Sequence, residues 1–476
     1  MEKFFKLKEH GTTVKTEFFA GLTTFMAMAY ILMVNAGMFA DPLGDGTDVL
    51  GVSYGAVYIA TAISAIFGTV LIGLLANLPL AQASGMGLNA YFVYTVCLGF
   101  GFTYANALVF VLADGIVFLL LTATGLRTKI FNAIPDAVRI AIPAGIGLFI
   151  AFIGMQNCGL VVADSSTAVA LTSMNLLSEN VSWATLMPLL ITIFSLIAIA
   201  VLSYKGVRGA VLWGILGGAI VYYLLGLTIP GFFDSISLQS NPLAAFADFG
   251  NLSIGKVFTE GFDFSGYLAT HDTASLVLVF ITTSLAFCMV DIFDTMGTLY
   301  GACARGNMLT KEGKVPNMEK AMFADAAATT VGAICGTSTV TTFVESSAGV
   351  AEGGRTGLSS MFTALFFFIA MFLSPVASLI PTYATAAALI YVGVLMMNCV
   401  KNIDWLKIDV AVPAFLTISM MVFTYNISFG IGFGMISYVF IKLFSGEVKE
   451  IRPATWIITL LFVCTFLFLL TNNYLF

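Results

Sequence analysis

The sequence predicts an all-α polytopic membrane protein. Of its 476 residues, 59% are hydrophobic and 10% are charged, and the mean hydropathy is +0.98. These values are typical of multi-pass membrane proteins and exclude an ordinary soluble domain. Apolar runs close to the roughly 20 residues that a helix needs to cross the hydrocarbon core recur along the chain. They cover residues 16–40, 53–76, 84–98, 102–125, 138–160, 183–203, 208–229, 274–299, 321–337, 345–352, 356–379, 382–400, 408–425, 428–444 and 455–473.

The basic residues predict the orientation, because lysine and arginine stay on the cytoplasmic side. Residues 1–15 are basic and contain no cleavable signal, so we expect a cytoplasmic N-terminus and a multi-pass protein of the inner (plasma) membrane. Segment 231–273 is poor in basic residues, which predicts an extracytoplasmic loop. It separates the group of spans within 16–230 from the group within 274–476. Whether run 455–473 crosses the bilayer stays open. The basic residues that we expect on the cytoplasmic side, between successive pairs of spans, include Arg127, Lys129, Lys205, Arg208, Arg305, Lys311, Lys401 and Lys442.

Two of the runs, 84–98 and 345–352, are too short for an ordinary span. Each follows an extended stretch, Leu78 to Gln82 and Val340 to Val344. Non-helical backbone at membrane depth is tolerated only where protein or a cavity surrounds it. The two runs are the third and the tenth in order, an odd separation that predicts an inverted repeat with a binding site between half-helix ends. This comparison aligns Gln82 with Glu345.

Carboxylates within the runs are candidate site residues. Asp291, Asp294 and Thr295 lie at helical spacing and are predicted to share one face, together with Thr298. Intramembrane acids are costly and usually functional, although a structural hydrogen-bonded cluster is the alternative. Glu345 is predicted to begin a half-helix, either as a simple cap or as an acid that faces the substrate.

Other side chains in the runs have both a functional and a structural interpretation. Asn89 can donate and accept at a heterocycle edge, or join two helices. Phe343 can stack on a planar ligand, although aromatic residues are usually core or lipid-facing. Asp114 and Asp325 are expected to be structural, and Glu352 is expected to pair with Arg355.

Three motifs resemble the azaguanine-type purine permeases, a branch of the nucleobase:cation symporter-2 family. They are Gly-Met-Gly-Leu-Asn-Ala-Tyr-Phe (85–92), Asp-Ile-Phe-Asp-Thr-Met-Gly-Thr-Leu (291–299) and Glu-Ser-Ser-Ala-Gly-Val-Ala-Glu-Gly-Gly-Arg-Thr-Gly-Leu (345–358). The opening segment 16–31 is similar to that branch as well, and the likeness covers essentially the whole chain.

This resemblance implies about fourteen spans in two inverted seven-span repeats, arranged as a core domain and a gate domain. The first repeat would cover residues 16–230, and residues 274–476 would hold the second repeat and a C-terminal hydrophobic tail. It also implies uptake of a purine base together with protons. Asp291 and Glu345 would be essential, Asp294 would contribute, and Gly87 with Asn89 would shape affinity and selectivity. We therefore expect substrate binding by Glu345, Asp291, Asn89, Gly87, Phe343 and Thr295, and proton coupling by Asp291, Asp294 and Glu345.

Other functions fit the sequence less well. An anion transporter on a similar scaffold is the main alternative, but it would favour a basic site residue. The seven cysteines are scattered and the two histidines, His10 and His271, fall outside the runs, so no metal, cofactor or enzyme constellation is expected. No basic cluster indicates nucleic acid. The expected partners are a purine, a proton and membrane lipid, with a homodimer possible; the preferred base and the choice between proton and sodium stay open.

Overall fold

A computed structural model describes residues 2–44, 46–124, 134–175, 182–235, 242–311 and 314–471. Helices coincide with the predicted apolar runs, and eight of those described are long and apolar enough to cross a membrane. The helices that coincide with the runs are, in order, α1 Val14–Ala40, α2 Tyr54–Ala76, α3 Met86–Gly99, α4 Tyr104–Thr124, α5 Asp136–Asn157, α6 Trp183–Tyr204, α7 Ala210–Gly226, α8 Thr273–Arg305, α9 Met318–Cys335, α10 Ser346–Ala351, α11 Gly357–Met371, α12 Thr382–Asn402, α13 Ile408–Phe423, α14 Ile427–Phe444 and α15 Pro453–Thr471.

The apolar composition explains the helices, because a backbone in hydrocarbon must satisfy its own hydrogen bonds. Arg127 and Lys129 lie outside the described residues, as do 472–476. The segment 231–273 holds several short helices, among them Pro242–Asp248 and Lys256–Thr259.

The helices pack as two bundles. The first bundle consists of α1–α4 with α8–α11, and the second consists of α5–α7 with α12–α14. Each bundle therefore combines helices from both halves of the chain. Helix α15 packs against α8 of the first bundle and α14 of the second.

Four short strands complete the described structure. Strand β1, Gln82–Ser84, pairs antiparallel with β4, Val340–Thr342, in the register Gln82 to Thr342 and Ser84 to Val340. The predicted extended stretches are thus present, although the first strand begins only at Gln82. Strands β2 and β3, Val161–Asp164 and Ala168–Leu171, form a separate hairpin between α5 and α6.

The chain can turn into the β1–β4 pair because both preceding helices end at left-handed residues. Asn77 has a φ of 54° after α2, and Gly336 has a φ of 92° after α9. A side chain at Gly336 would also collide with Ser253 and Tyr104, so glycine is required there for two reasons.

Candidate functional site

The two strands bring the starts of the half-helices α3 and α10 together. Beyond the strand pair, the Gly85 amide donates to the Thr339 carbonyl at 3.0 Å, and the Phe343 amide donates to the Ala81 carbonyl at 3.0 Å. These hydrogen bonds satisfy backbone N–H and C=O groups that would otherwise be unpaired where the two extended segments pass each other. After this pairing, the segment that follows β1 enters α3, and the segment that follows β4 enters α10.

A cavity of about 80 Å³ lies where these half-helices begin. The first bundle contributes side chains from α1, α3, α8 and the β4–α10 link, and the second bundle contributes α5 and α12. Drug-sized sites usually measure about 300–1,000 Å³, so this cavity suits a compact ligand. Its lining includes Tyr30, Gly85, Gly87, Ile146, Val290, Asp294, Phe343, Glu345, Val392 and Met396.

Glu345 occupies the N-cap position of α10, as predicted, but its side chain makes no capping hydrogen bond. The carboxylate instead accepts a hydrogen bond of 2.6 Å from the Tyr30 hydroxyl. Tyr30 follows a local break in α1 at Ala29 and is fully buried. The Glu345 side chain is therefore directed to the cavity, which favours the substrate-facing interpretation over the simple cap.

The predicted acidic face of α8 is divided between two surroundings. Asp294 lines the cavity together with Val290, one turn earlier. Asp291 and Thr295 are fully buried and are not among the lining residues. Residues four apart on a helix are neighbours, so Asp291 and Thr295 share the side that meets the strand pair.

Thr295 belongs to a hydrogen-bonded network behind the cavity. Its hydroxyl lies 2.9 Å from the Asp325 carboxylate and 2.8 Å from the Thr341 hydroxyl. Asp325 also accepts from the Gln82 amide at 2.9 Å and from the Thr342 hydroxyl at 3.2 Å. One buried carboxylate thus joins α8, α9, β1 and β4, a partner set that agrees with the structural role expected of Asp325.

Asn89 also lies behind the cavity. Its carbonyl oxygen accepts from the Ser338 hydroxyl, and its amide donates to the Ser84 carbonyl at 3.5 Å. The side chain is fully buried and joins α3 to the segment before β4. In this conformation Asn89 positions the half-helix and does not line the cavity.

Gly87 and Phe343 do line the cavity. A Cβ atom at Gly87 would collide with Cγ2 of Ile146 on α5, so the close approach of the two bundles requires glycine here. The Phe343 side chain is 7% exposed and forms part of the apolar wall.

The alignment of Gln82 with Glu345 is corrected by the positions at which the two helices begin. Gln82 lies within β1 and faces Thr342, three residues before Glu345. The residue at the N-cap of α3 is Gly85. Counted from the helix starts, Gly85 corresponds to Glu345, so the acid has no polar counterpart at the start of α3.

The expected Glu352–Arg355 ion pair is also absent from the described contacts. Glu352 pairs with Arg208 at 2.5 Å. The Arg355 guanidinium donates to the carbonyls of Val350 and Gly354 at 2.6 and 2.7 Å. Its backbone amide donates to Glu17, which is fully buried at the start of α1. Short sequence separation predicted the wrong partner because the chain turns at Gly353.

Tyr30 and Ile146 are among the cavity residues that the sequence did not predict. Tyr30 closes the opening motif 16–31 and could have been noted there, but nothing local connects it to Glu345. Ile146 is one of many apolar residues of α5 and carries no distinguishing signal. Both are identified by the tertiary arrangement alone.

The arrangement can bind a small polar molecule between charged acceptors and apolar walls. Carboxylates accept hydrogen bonds from N–H groups and form the stronger, charge-assisted kind when ionised. The first turn of α3, which borders the cavity at Gly85 and Gly87, presents backbone N–H groups as donors. Donors and acceptors thus meet around one compact space.

Comparisons with known proteins agree with the resemblance described above. Residues 15–433 match the model of the Permease family, Xan_ur_permease. The chain is 39% identical to the guanine/hypoxanthine permease PbuO of Bacillus subtilis, with 96% of this chain and 98% of that protein aligned. It is 36% identical to the adenine permease AdeP of Escherichia coli, with 98% and 96% aligned.

A solved structure shows the same fold at low sequence identity. The transmembrane domain of the cyanobacterial bicarbonate transporter BicA superposes with a TM-score of 0.60 and 16% identity, over 88% of this chain and 97% of that one. The match to the family model and the identities to the purine permeases, over nearly the whole chain, show that the chain belongs to the Permease family, within the purine permease branch of the nucleobase:cation symporter-2 proteins.

Proposed function

We propose that this protein imports purine nucleobases, hypoxanthine and guanine or adenine, across the inner (plasma) membrane by proton symport. The observation that carries the proposal is the pair of carboxylates, Glu345 and Asp294, in one small cavity between the two bundles. The relatives named as adenine and guanine/hypoxanthine permeases support the same class of cargo.

The cavity offers what a neutral purine requires. The N–H groups of the base donate to Glu345, and backbone N–H groups at the start of α3 donate to a ring nitrogen or carbonyl. Phe343 supplies an apolar wall for the ring. Asn89 and Thr295 act from behind, because their hydrogen bonds hold α3 and α8 against the strand pair.

Proton coupling follows from the charge of the site. Two ionised carboxylates in one cavity repel each other, so we expect Glu345 and Asp294 to hold a proton between them when no base is bound. A base that donates to an ionised carboxylate changes that preference, and by linkage the proton changes the affinity for the base. Asp291, one turn from Thr295, does not line the cavity, and we propose that it contributes to proton coupling through its position on α8.

Alternating access is proposed as movement of the first bundle, as the core domain, against the second, as the gate domain. A cavity of about 580 Å³, lined by Phe293 and Gly297 of α8 and by Pro143 of α5, lies to one side of the site, because Gly297 and Pro143 each come three residues from the site residues Asp294 and Ile146. With the N-terminus in the cytoplasm, this side faces inward. The antiparallel β1–β4 pair supports two inverted repeats. The homodimer stays a prediction.

An anion transporter is the alternative that the fold permits. The similarity to BicA concerns the fold alone at 16% identity. The described lining of the cavity contains Glu345 and Asp294 but no lysine or arginine. An anion would meet two acids there, which favours a neutral cargo with N–H donors.

The test is uptake of labelled hypoxanthine and adenine by proteoliposomes, with competition by a panel of purines and by bicarbonate. Measurements at two pH values, with and without sodium, separate proton from sodium coupling. We expect uptake that purines inhibit and an inward proton gradient increases. Uptake driven only by sodium would overturn the proposed coupling to protons. Inhibition by bicarbonate but not by purines would overturn the proposed purine cargo.

A further inference from the structure

A second cavity, of about 460 Å³, lies at the other end of α3. Both bundles form it: α3 of the first bundle supplies Tyr94 and Thr95, and the second supplies the end of α5 and the α13–α14 link. Its volume falls within the range of ordinary small-molecule sites and is several times that of the Glu345 cavity.

The lining has a distinct chemical character. Three side-chain amides, Gln156, Asn157 and Asn426, lie beside Tyr94 and Tyr425, and no aspartate, glutamate, lysine or arginine is among the described lining residues. Amides and phenols form hydrogen bonds without charge, and aromatic rings offer flat apolar faces. Such a wall suits a neutral planar heterocycle better than an ion or a lipid headgroup.

Tyr425 is held in an unusual conformation at this cavity. Its φ is 54°, a left-handed value that is strained for a bulky residue. Its carbonyl accepts from the Thr95 hydroxyl at 3.0 Å, and its own hydroxyl donates to Gln156 at 2.8 Å. The ring packs edge to face on Tyr94, with centroids 5.8 Å apart. Strain that the surroundings maintain in this way is found mainly at functional sites.

Two of the amides, Gln156 and Asn157, present a donor and an acceptor to a ligand. Gln156 uses its oxygen to accept from Tyr425, and Asn157 uses its amide nitrogen to donate to Tyr94 at 3.2 Å. Among the contacts of the described residues, the Gln156 nitrogen and the Asn157 oxygen have no hydrogen-bond partner. Adjacent N–H and C=O groups on a purine base match this pair.

We propose that this cavity is a second binding site for a neutral nucleobase, a site that holds the cargo before it reaches the Glu345 cavity. The inference rests on the proposed function, since it assigns the same class of cargo to a second place. Helix α3 joins the two sites, which roughly 10–16 Å of helix separates. Thr95 and Tyr94 link the bundles here. Movement of one bundle against the other would therefore change the shape of this second cavity, the outer cavity, at the same time as it changes which side of the membrane the Glu345 cavity opens to.

The test is equilibrium binding of labelled hypoxanthine to the full-length protein in lipid nanodiscs. We expect about two bases per chain at saturation. Glu345→Gln should remove one, and the double variant Gln156→Met, Asn157→Leu, which keeps side-chain size, should remove the other. Asn402→Leu, an exposed amide at the end of α12 outside both cavities, is the matched control and should bind like the unmodified protein.

The outcomes separate the two proposals. One bound base that Glu345→Gln removes and the Gln156/Asn157 variant retains would overturn the second site and leave the proposed function standing. No binding of any purine by the unmodified protein would overturn both.

A second measurement does not depend on the folding of the double variant. Leu98, which lines the outer cavity, is replaced by cysteine in the Glu345→Gln protein, and its modification by a maleimide is followed by mass spectrometry. We expect hypoxanthine to slow modification several-fold, but not that of Leu171→Cys in the exposed β2–β3 hairpin. Equal rates with and without hypoxanthine would overturn the second site.

Discussion

The Tyr30 hydroxyl donates a 2.6 Å hydrogen bond to the Glu345 carboxylate across 315 positions of the chain. Tyr30 comes from α1 and Glu345 from the start of α10, so the contact joins two helices of the first bundle. The bond sets the direction of the carboxylate in the cavity that we assign to the base.

Replacing Tyr30 by phenylalanine removes this bond and keeps the ring. Hydrogen bonds to charged groups contribute about 1.5–3 kcal/mol, so we expect KM for base uptake to rise about tenfold or more. The matched control is Tyr58→Phe, which loses a buried hydrogen bond of 2.9 Å to Ala370 elsewhere in the first bundle. An unchanged KM in Tyr30→Phe would show that the bond does not orient Glu345 for binding.

The two acids of α8 should differ in what they change. Asp294 lines the cavity, so Asp294→Asn is expected to weaken equilibrium base binding on the order of tenfold. Asp291 does not line it, so Asp291→Asn is expected to abolish uptake while binding stays within about twofold. Binding assays on purified protein, beside uptake in cells with matched membrane expression, make the comparison. The reverse pattern would exchange the proposed roles.

Gly87→Ala should close the cavity from the α3 side. The added methyl group would meet Cγ2 of Ile146, and overpacking of this kind costs about 1–3 kcal/mol. We expect uptake to fall about ten- to a hundredfold and the double variant with Ile146→Ala to recover much of it. Gly217→Ala on α7, where an added methyl group meets nothing within 4 Å, is the control. Failure of the double variant to recover would place the effect of Gly87 elsewhere.

Asn89 and Ser338 should behave as one unit. Because the Ser338 hydroxyl donates to Asn89, Asn89→Ala and Ser338→Ala are each expected to alter the affinity for bases or their ranking. Their effects should be less than additive in the double variant, as for any contacting pair. A competition profile for purines measures this. A normal profile for Ser338→Ala beside an altered one for Asn89→Ala would instead indicate direct contact of Asn89 with the base.

The helices and the broken spans were predictable because apolar length and β-prone segments are local properties. The runs 84–98 and 345–352 became α3 and α10, and Glu345 lies where its helix begins. The exact number of membrane crossings does not follow from the helices, because α10 has only six residues and several others are short for a span.

Partners distant in the chain were not predictable. The Gln82–Glu345 alignment was wrong because pairing with Thr342 keeps Gln82 in β1, so α3 begins only at Met86, whereas α10 begins directly after Glu345. The Glu352–Arg355 pair was wrong because Glu352 pairs with Arg208, which lies in the turn between α6 and α7 and is distant in the chain. Tyr30 was missed for the same reason, since no local pattern reveals a contact across 315 positions.

The central claim is that Glu345 couples base binding to the proton. It is tested most directly by accumulation of labelled hypoxanthine in proteoliposomes under an imposed inward proton gradient, comparing the unmodified protein with Glu345→Gln at equal reconstitution. We predict gradient-dependent accumulation by the first and none by the second. Full, pH-dependent accumulation by Glu345→Gln would contradict the account.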